Sequence, residues 1–161
     1  MEIIRANYGQ LLIRGSKTFT GAANLGAVGD CPIFTTTGAV LLHGLWVRCT
    51  DDLVDAVDGA LFTIGVTGAT AAFGSWTAAF DLDTIDAGDG LEGTTPAALD
   101  GWGWNLVEEG TGQNGAPIIM DSITMTVSGQ AITGGVLEFY ALHTSLSSNG
   151  ALSLGTGMVA I

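Results

Sequence analysis

The sequence predicts an all-β protein: a jelly-roll-like β-sandwich of about eight antiparallel strands with an extended N-terminal arm. Three observations carry that expectation. The 161 residues include 25 glycines but only four Lys or Arg, so the long charged side chains that build exposed helix faces are scarce. Thr, Val, Ile and aromatic residues fall in short alternating runs, which suits strands buried on one face. Gly-rich, Asn-Gly and Asp-Gly stretches separate those runs, as turns between strands require.

Taken in order, residues 8–20 (YGQLLIRGSKTFT) carry apolar runs interrupted at Gly15 and Ser16, two short strands or one bent strand. Residues 21–30 (GAANLGAVGD) form a small-residue loop, and 32–37 (PIFTTT) a strand closed by Gly38. The clearest strand is 39–50 (AVLLHGLWVRCT), with Leu41, His43, Leu45, Val47 and Cys49 on one face. Val40, Leu42, Gly44, Trp46 and Arg48 lie on the other, so both faces are largely apolar. An acidic connector (51–59) ends in the turn signal Asp58-Gly59. Residues 60–68 alternate, with Phe62, Ile64 and Val66 opposite Leu61, Thr63, Gly65 and Thr67, and 72–82 read as a further strand. From 83 to 117 the chain is irregular, acidic and Gly-rich, with a short strand expected at 102–107 and a protruding turn at 110–116. Alternation returns at 118–129 and again at 134–146, where Leu137, Phe139, Ala141 and His143 oppose Val136, Glu138, Tyr140 and Leu142. Residues 151–161 close the chain as a strand or extended tail. No fixed-period repeat of the solenoid or propeller kind is present. The division expected is a basic N-terminal arm or first strand over 1–17 and one β-sandwich domain over 18–161.

Charge narrows the function classes. The net charge is −12. That opposes contact with a nucleic-acid backbone, which needs Lys and Arg in quantity, and with an anionic membrane surface. No apolar run of about 18 residues exists to span a bilayer as a helix. The cations are unevenly placed: Arg5, Arg14 and Lys17 face only Glu2 in the first 17 residues, while Arg48 stands alone among the carboxylates that follow. Such asymmetry points to an N-terminal segment with its own partner; an ordinary first strand with snorkelling basic side chains accounts for it equally well. The N-terminal residues lack the apolar core and cleavage site of a secretory signal, so synthesis in a cytosol is expected. Cys31 and Cys49 are then buried thiols rather than a bridge, and their isolation from further Cys or His in ligand spacing opposes a zinc site. A chain so poor in charge hides part of its surface against copies of itself or a larger partner.

No motif carries chemistry. Residues 81–92 (DLDTIDAGDGLE) place Asp81, Asp83, Asp89 and Glu92 at four calcium-loop positions. Ile85 occupies a ligand position and Asp86 the glycine position, so an acidic surface turn anchored by Leu82 and Ile85 is favoured over a cation site. A glycosidase-like carboxylate pair needs a separation across a cleft that sequence does not supply. Trp102 and Trp104, at strand spacing, place both indoles on one face, as a sugar platform, a core edge or a subunit interface would. The string GTGQNG (110–115) has no strand-to-helix context for a dinucleotide site. His43 and His143 lie mid-strand and read as partly buried, satisfied histidines. No nucleophile elbow is present. A non-enzymatic protein with no cofactor and no metal is expected.

Four stretches together resemble small virion-associated proteins of tailed bacteriophages, of the kind thought to decorate capsids: 19–53, 59–73, DTIDAGDG (83–90) and 132–150. The resemblance lies in texture and loosely shared phrases over most of the chain. Cys31, Cys49 and the GWGWNLVEEGTGQNG stretch (101–115) depart from it. It implies a capsid decoration, or cement, protein: β-rich, a homotrimer, bound to the major capsid protein on the virion exterior and made in the host cytoplasm. On that reading Arg5, Tyr8, Arg14 and Lys17 form the capsid-contacting arm, and Trp102 and Trp104 a contact between copies or with a neighbour. The alternative is a tail or fibre component, or a glycan receptor-binding module on the same fold.

Overall fold

The computed structural model describes residues 4–5, 9–76, 82, 85–88, 90 and 118–161, with 4–5 and 74–76 given by their backbone alone. Among the described residues eleven strands run in order: β1 (Ile4–Arg5), β2 (Leu11–Thr18), β3 (Gly29–Thr37), β4 (Val40–Asp55), β5 (Leu61–Val66), β6 (Ala69–Trp76), β7 (Ile118–Ile119), β8 (Ile123–Ser128), β9 (Ile132–Ser145), β10 (Ala151–Leu154) and β11 (Val159–Ala160). Every pairing between them is antiparallel.

The pairing is that of one long hairpin rolled up. β5 pairs with β6 around a turn at Thr67-Gly68. Moving outward, β4 pairs with β7, β3 with β8, and β2 with β9. Consecutive strands of each arm alternate between two sheets, ordered β2-β9-β4-β7 and β3-β8-β5-β6. This is the eight-stranded jelly roll of two interleaved Greek keys. The other three strands finish edges. β10 extends the second sheet beside β3, while β1 and β11 share the outer edge of β2. At the hairpin tip Gly68 has φ +79°, a left-handed conformation that costs glycine nothing.

Alternation sends one face of each sheet inward. Phe62 and Ile64 of β5, Ile123, Met125 and Val127 of β8, and Leu137, Phe139 and Ala141 of β9 are buried, as their period-2 pattern predicts. Cys31 and Cys49 join that core as free, buried thiols. In β4 the expected faces are wrong beyond residue 42. Val40 and Leu42 point inward, and so do Leu45, Val47 and Cys49. A bulge between Leu42 and Gly44 inserts one residue and exchanges the faces of everything after it. β4 also continues through Asp55, so the first half of the acidic connector is strand, held by pairing with β9 as far as Asp55↔Ile132. Conversely, the run at 118–129 is broken into β7 and β8, which lie in different sheets.

The basic segment divides likewise. Leu11–Thr18 is an interior strand paired along its length with Val136–His143 of β9, with Ile13 and Lys17 in the core. Only residues N-terminal to it remain for an arm, and there Ile4 and Arg5 pair back onto Leu12 and Leu11. The expected strand at 102–107, the turn at 110–116 and GTGQNG lie outside the described residues.

His143 occupies the inner face of β9, 3% exposed. Its ring bonds the main chain of Leu11, and its Nδ1 is buried with no hydrogen-bond partner among the described residues. Burial, reinforced by the nearby His43, holds its pKa below the ordinary 6.5, against the opposing Leu11 bond.

Two outcomes follow from this packing. Phe139→Ala is expected to cost about 3–5 kcal/mol, the usual range for a fully buried phenylalanine, read as a lower urea midpoint. For His143, the unfolded chain takes up a proton near pH ~6.5 before the folded protein does. Stability therefore falls as pH drops below that value and levels off once the folded imidazole also protonates. Urea midpoints between pH 7.5 and 5.5 should show this limb, and His143→Gln should flatten it.

Candidate interaction surface

The outer face of the β2-β9-β4 sheet brings Arg14 and Arg48 beside Trp46 and Tyr140. Register sets the arrangement. Leu12, Leu142 and Gly44 form one cross-strand row, Arg14, Tyr140 and Trp46 the next, and Ser16, Glu138 and Arg48 a third. Leu12, Trp46, Tyr140 and Leu142 line a shallow, open hollow of about 400 Å³. All four are half-buried, so their side chains are reachable from solvent.

Gly44 shapes the hollow. A Cβ there would run into the six-membered ring of Trp46. The missing side chain lets the indole lie down across the strand, so a flat aromatic surface takes the place of an upright one. The Leu42/Gly44 bulge matters equally, because it puts Gly44, Trp46 and Arg48 on the outside together.

The polar rim is connected. The Tyr140 hydroxyl donates to Glu138 Oε2 at 2.6 Å. The Tyr140 pKa is raised, first by that hydrogen bond to a carboxylate, then by burial and by the Glu138 charge; Arg48 and Arg14 act in the opposite sense. Register puts Arg14 in the row of Tyr140 and Arg48 in the adjacent row of Glu138. Beyond the hollow, His43 Nε2 and Thr144 Oγ1 are 2.8 Å apart and hydrogen-bonded.

The residues expected from sequence fare differently. Arg14 lies on this face. Arg5 contributes its backbone to β1. Tyr8, Trp102 and Trp104 lie outside the described residues. Lys17 is 0% exposed, which removes its side chain from any outside contact. Its Nζ donates to the main-chain oxygens of Asn24 and Thr156, each at 2.9 Å, tying the β2–β3 loop to the turn between β10 and β11. Asn24 meets it in the left-handed region at φ 61°. Burial lowers the Lys17 pKa, with Cys31 acting against that shift. Trp46, Arg48, Tyr140 and Glu138 escaped selection. Their signal was present in Arg48, the sole cation after residue 17, two residues from a tryptophan on a strand with two apolar faces.

The acidic stretch behaves as a turn where it is described. Leu82 and Ile85 are buried. Leu53 N–H donates to Ile85 O at 3.2 Å and Gly88 N–H to Cys49 O at 2.9 Å. Asp52 Oδ1 accepts from Ala87 N–H at 2.7 Å. Asp81, Asp83, Asp89 and Glu92 lie outside the described residues. Among the described residues, no three His, Cys, Asp or Glu are grouped to hold a metal, and no helix is long and apolar enough to cross a membrane.

Glu138→Gln removes the carboxylate that disfavours the phenolate. An absorbance titration is expected to show one of the two tyrosines ionising at lower pH in that variant. Compared with known protein families, with characterised proteins and with solved structures, the chain matches none.

Proposed function

We propose that this chain is a non-enzymatic virion structural protein that decorates a tailed-phage capsid, bridging major capsid subunits as a homotrimer. One observation carries the reading furthest: the N- and C-terminal segments meet on a single sheet edge. β1 pairs with Leu11 and Leu12, and β11 with Gly15 and Ser16, along the side of β2 opposite β9. Each is only two residues long. An edge closed so lightly offers main-chain donors and acceptors to a further strand. Val159 and Ile161 stand exposed beside it, where apolar surface favours a partner. The capsid contact therefore falls to the segment N-terminal to β2, with Arg5 and Tyr8, and to the β11 edge. Lys17 belongs to the interior.

The charge distribution supports the same reading. Asp30, Asp51, Asp52, Asp58, Asp86 and Asp121 are exposed, and a surface of one sign keeps decorated particles apart. The low ionic content of the chain, with 12% charged residues, suits a protein whose remaining surface is covered by its siblings and by the shell.

The test is removal of residues 1–9, which leaves β2 whole. Losing about two strand-pairing hydrogen bonds at ~1 kcal/mol each is expected to weaken capsid binding roughly thirtyfold, with thermal unfolding still cooperative. Occupancy would be counted by gel densitometry on purified capsids. Unchanged occupancy would remove the arm from the mechanism, and failure of the intact chain to bind capsids would remove the function.

A further inference from the structure

We propose that the N-terminal segment and β11 are competing occupants of one stretch of the β2 edge, so that lengthening the β1 pairing releases β11. The exchange is built into the strand registers. It acts on the edge used in the proposed capsid contact but does not depend on a capsid.

Both short strands lie antiparallel to β2 on its side away from β9. They therefore run in the same direction, one behind the other. Ile4 stands opposite Leu12 and Arg5 opposite Leu11. Val159 stands opposite Ser16 and Ala160 opposite Gly15. Ile13 and Arg14 lie between the two pairings. In an unbulged antiparallel pair the register advances one residue for one. Continued upstream in its own register, β1 would set Ile3 opposite Ile13, Glu2 opposite Arg14 and Met1 opposite Gly15. Continued downstream, β11 would set Ile161 opposite Arg14. Two segments thus claim Arg14 and Gly15 on the same side of β2, and a strand edge pairs with one neighbour at a time.

β11 is lightly held. Val159 and Ile161 are exposed, and so is Ala160. Little apolar burial fixes the strand, and its two-residue pairing carries it. The turn just before it is fixed by other means. Gly155 N–H donates to Ile33 O at 2.8 Å and Met158 N–H to Gly155 O at 3.1 Å. Lys17 Nζ donates to Thr156 O at 2.9 Å, and Met158 packs against the core. Opening is confined to the residues after Met158, and an edge of this kind opens without unfolding the domain. The N-terminal segment has its own pivot in Gly9, at φ +77° ahead of β2, a left-handed position that glycine adopts freely.

The experiment is amide hydrogen exchange on the full chain, followed residue by residue by NMR. Deleting Glu2 and Ile3 joins Met1 to Ile4, so that the segment reaches no further than Ile13. The paired amide of β11, at Val159 or Ala160, is then expected to exchange about twofold more slowly or slower still. The reverse arm pins β11 with Ser16→Cys and Val159→Cys. Opposed residues of an antiparallel pair lie about 4.5–5.5 Å apart at Cα, within reach of a disulfide. Oxidation is expected to speed exchange at Glu2 and Ile3, and reduction to reverse it, because two exclusive equilibria shift each other reciprocally. Amides of β9 should stay unchanged in both arms, which separates strand exchange from a general change in stability. The proposal is overturned if the deletion leaves β11 exchange unchanged, or if oxidation leaves Glu2 and Ile3 unchanged. Faster exchange in β11 after the deletion overturns it as well, since the two strands would then support each other.

Discussion

The β4–β9 ladder is the constraint on which the rest of the molecule depends. These are the two longest strands, of 16 and 14 residues, and they pair from Val40↔Ser145 to Asp55↔Ile132. A ladder of that length cannot stay flat, because strand twist accumulates along it. The register shifts at Leu42/Gly44, Cys49/Asp51, Asp51/Val54 and Val54/Asp55 bend the ladder and add to its local twist, and each resets which side chains face the core. The inner face buries Leu42, Leu45, Val47, Cys49, Leu137, Phe139 and Ala141. The second sheet packs over that surface, and the outer face inherits whatever the shifts leave behind.

This explains what could and could not be read from the residues. Strands free of bulges obey period 2, so the inward sets of β5, β8 and β9 were legible from alternation alone, and with them the all-β sandwich. β4 defeats the method at Gly44. One inserted residue reverses the faces, and apolar side chains on both parities conceal the reversal. The acidic run Asp51–Asp55 conceals the strand's continuation in the same way, because Asp51 and Asp52 are exposed while Leu53 alone is buried. The interaction surface was half legible. Arg14 stands out by charge, but its neighbours Trp46 and Tyr140 are more than 30 and more than 100 positions away along the chain, respectively, and only strand order brings the three into one row.

Lys17 illustrates a different limit. Basic residues near a chain end read as surface, and an interior lysine is rare. Here the ammonium is tolerated because two main-chain oxygens receive it, replacing water at a buried cation. The arrangement joins the β2–β3 loop to the turn before β11, and so links the strand at the centre of the N-terminal segment to the last turn of the chain. The buried imidazole of His143 lies on the same inner sheet face, beside β2. Both groups lose stability by being charged inside the fold, and in both cases β2 is the strand they hold or abut.

An edge and a face of one sheet present different chemistry, and the topology separates them. The edge of β2 presents main-chain groups, whose pairing is tolerant of sequence and suits a polypeptide. The face presents only side chains, among them the row Arg14–Tyr140–Trp46 with Gly44 beneath the indole. Rolling the hairpin so that β9 lies between β2 and β4 builds both features from one strand arrangement. β2 supplies the outer edge and one column of the face, and β4, through a single bulge, supplies the aromatic floor. A change that lengthened β11 would close the edge and leave the face intact. Running β4 on past Leu42 in regular alternation, with the bulge straightened and no residue removed, would do the reverse, turning Trp46 and Arg48 toward the core while β2 kept its register with β9. The two surfaces can therefore vary independently on one unaltered jelly roll.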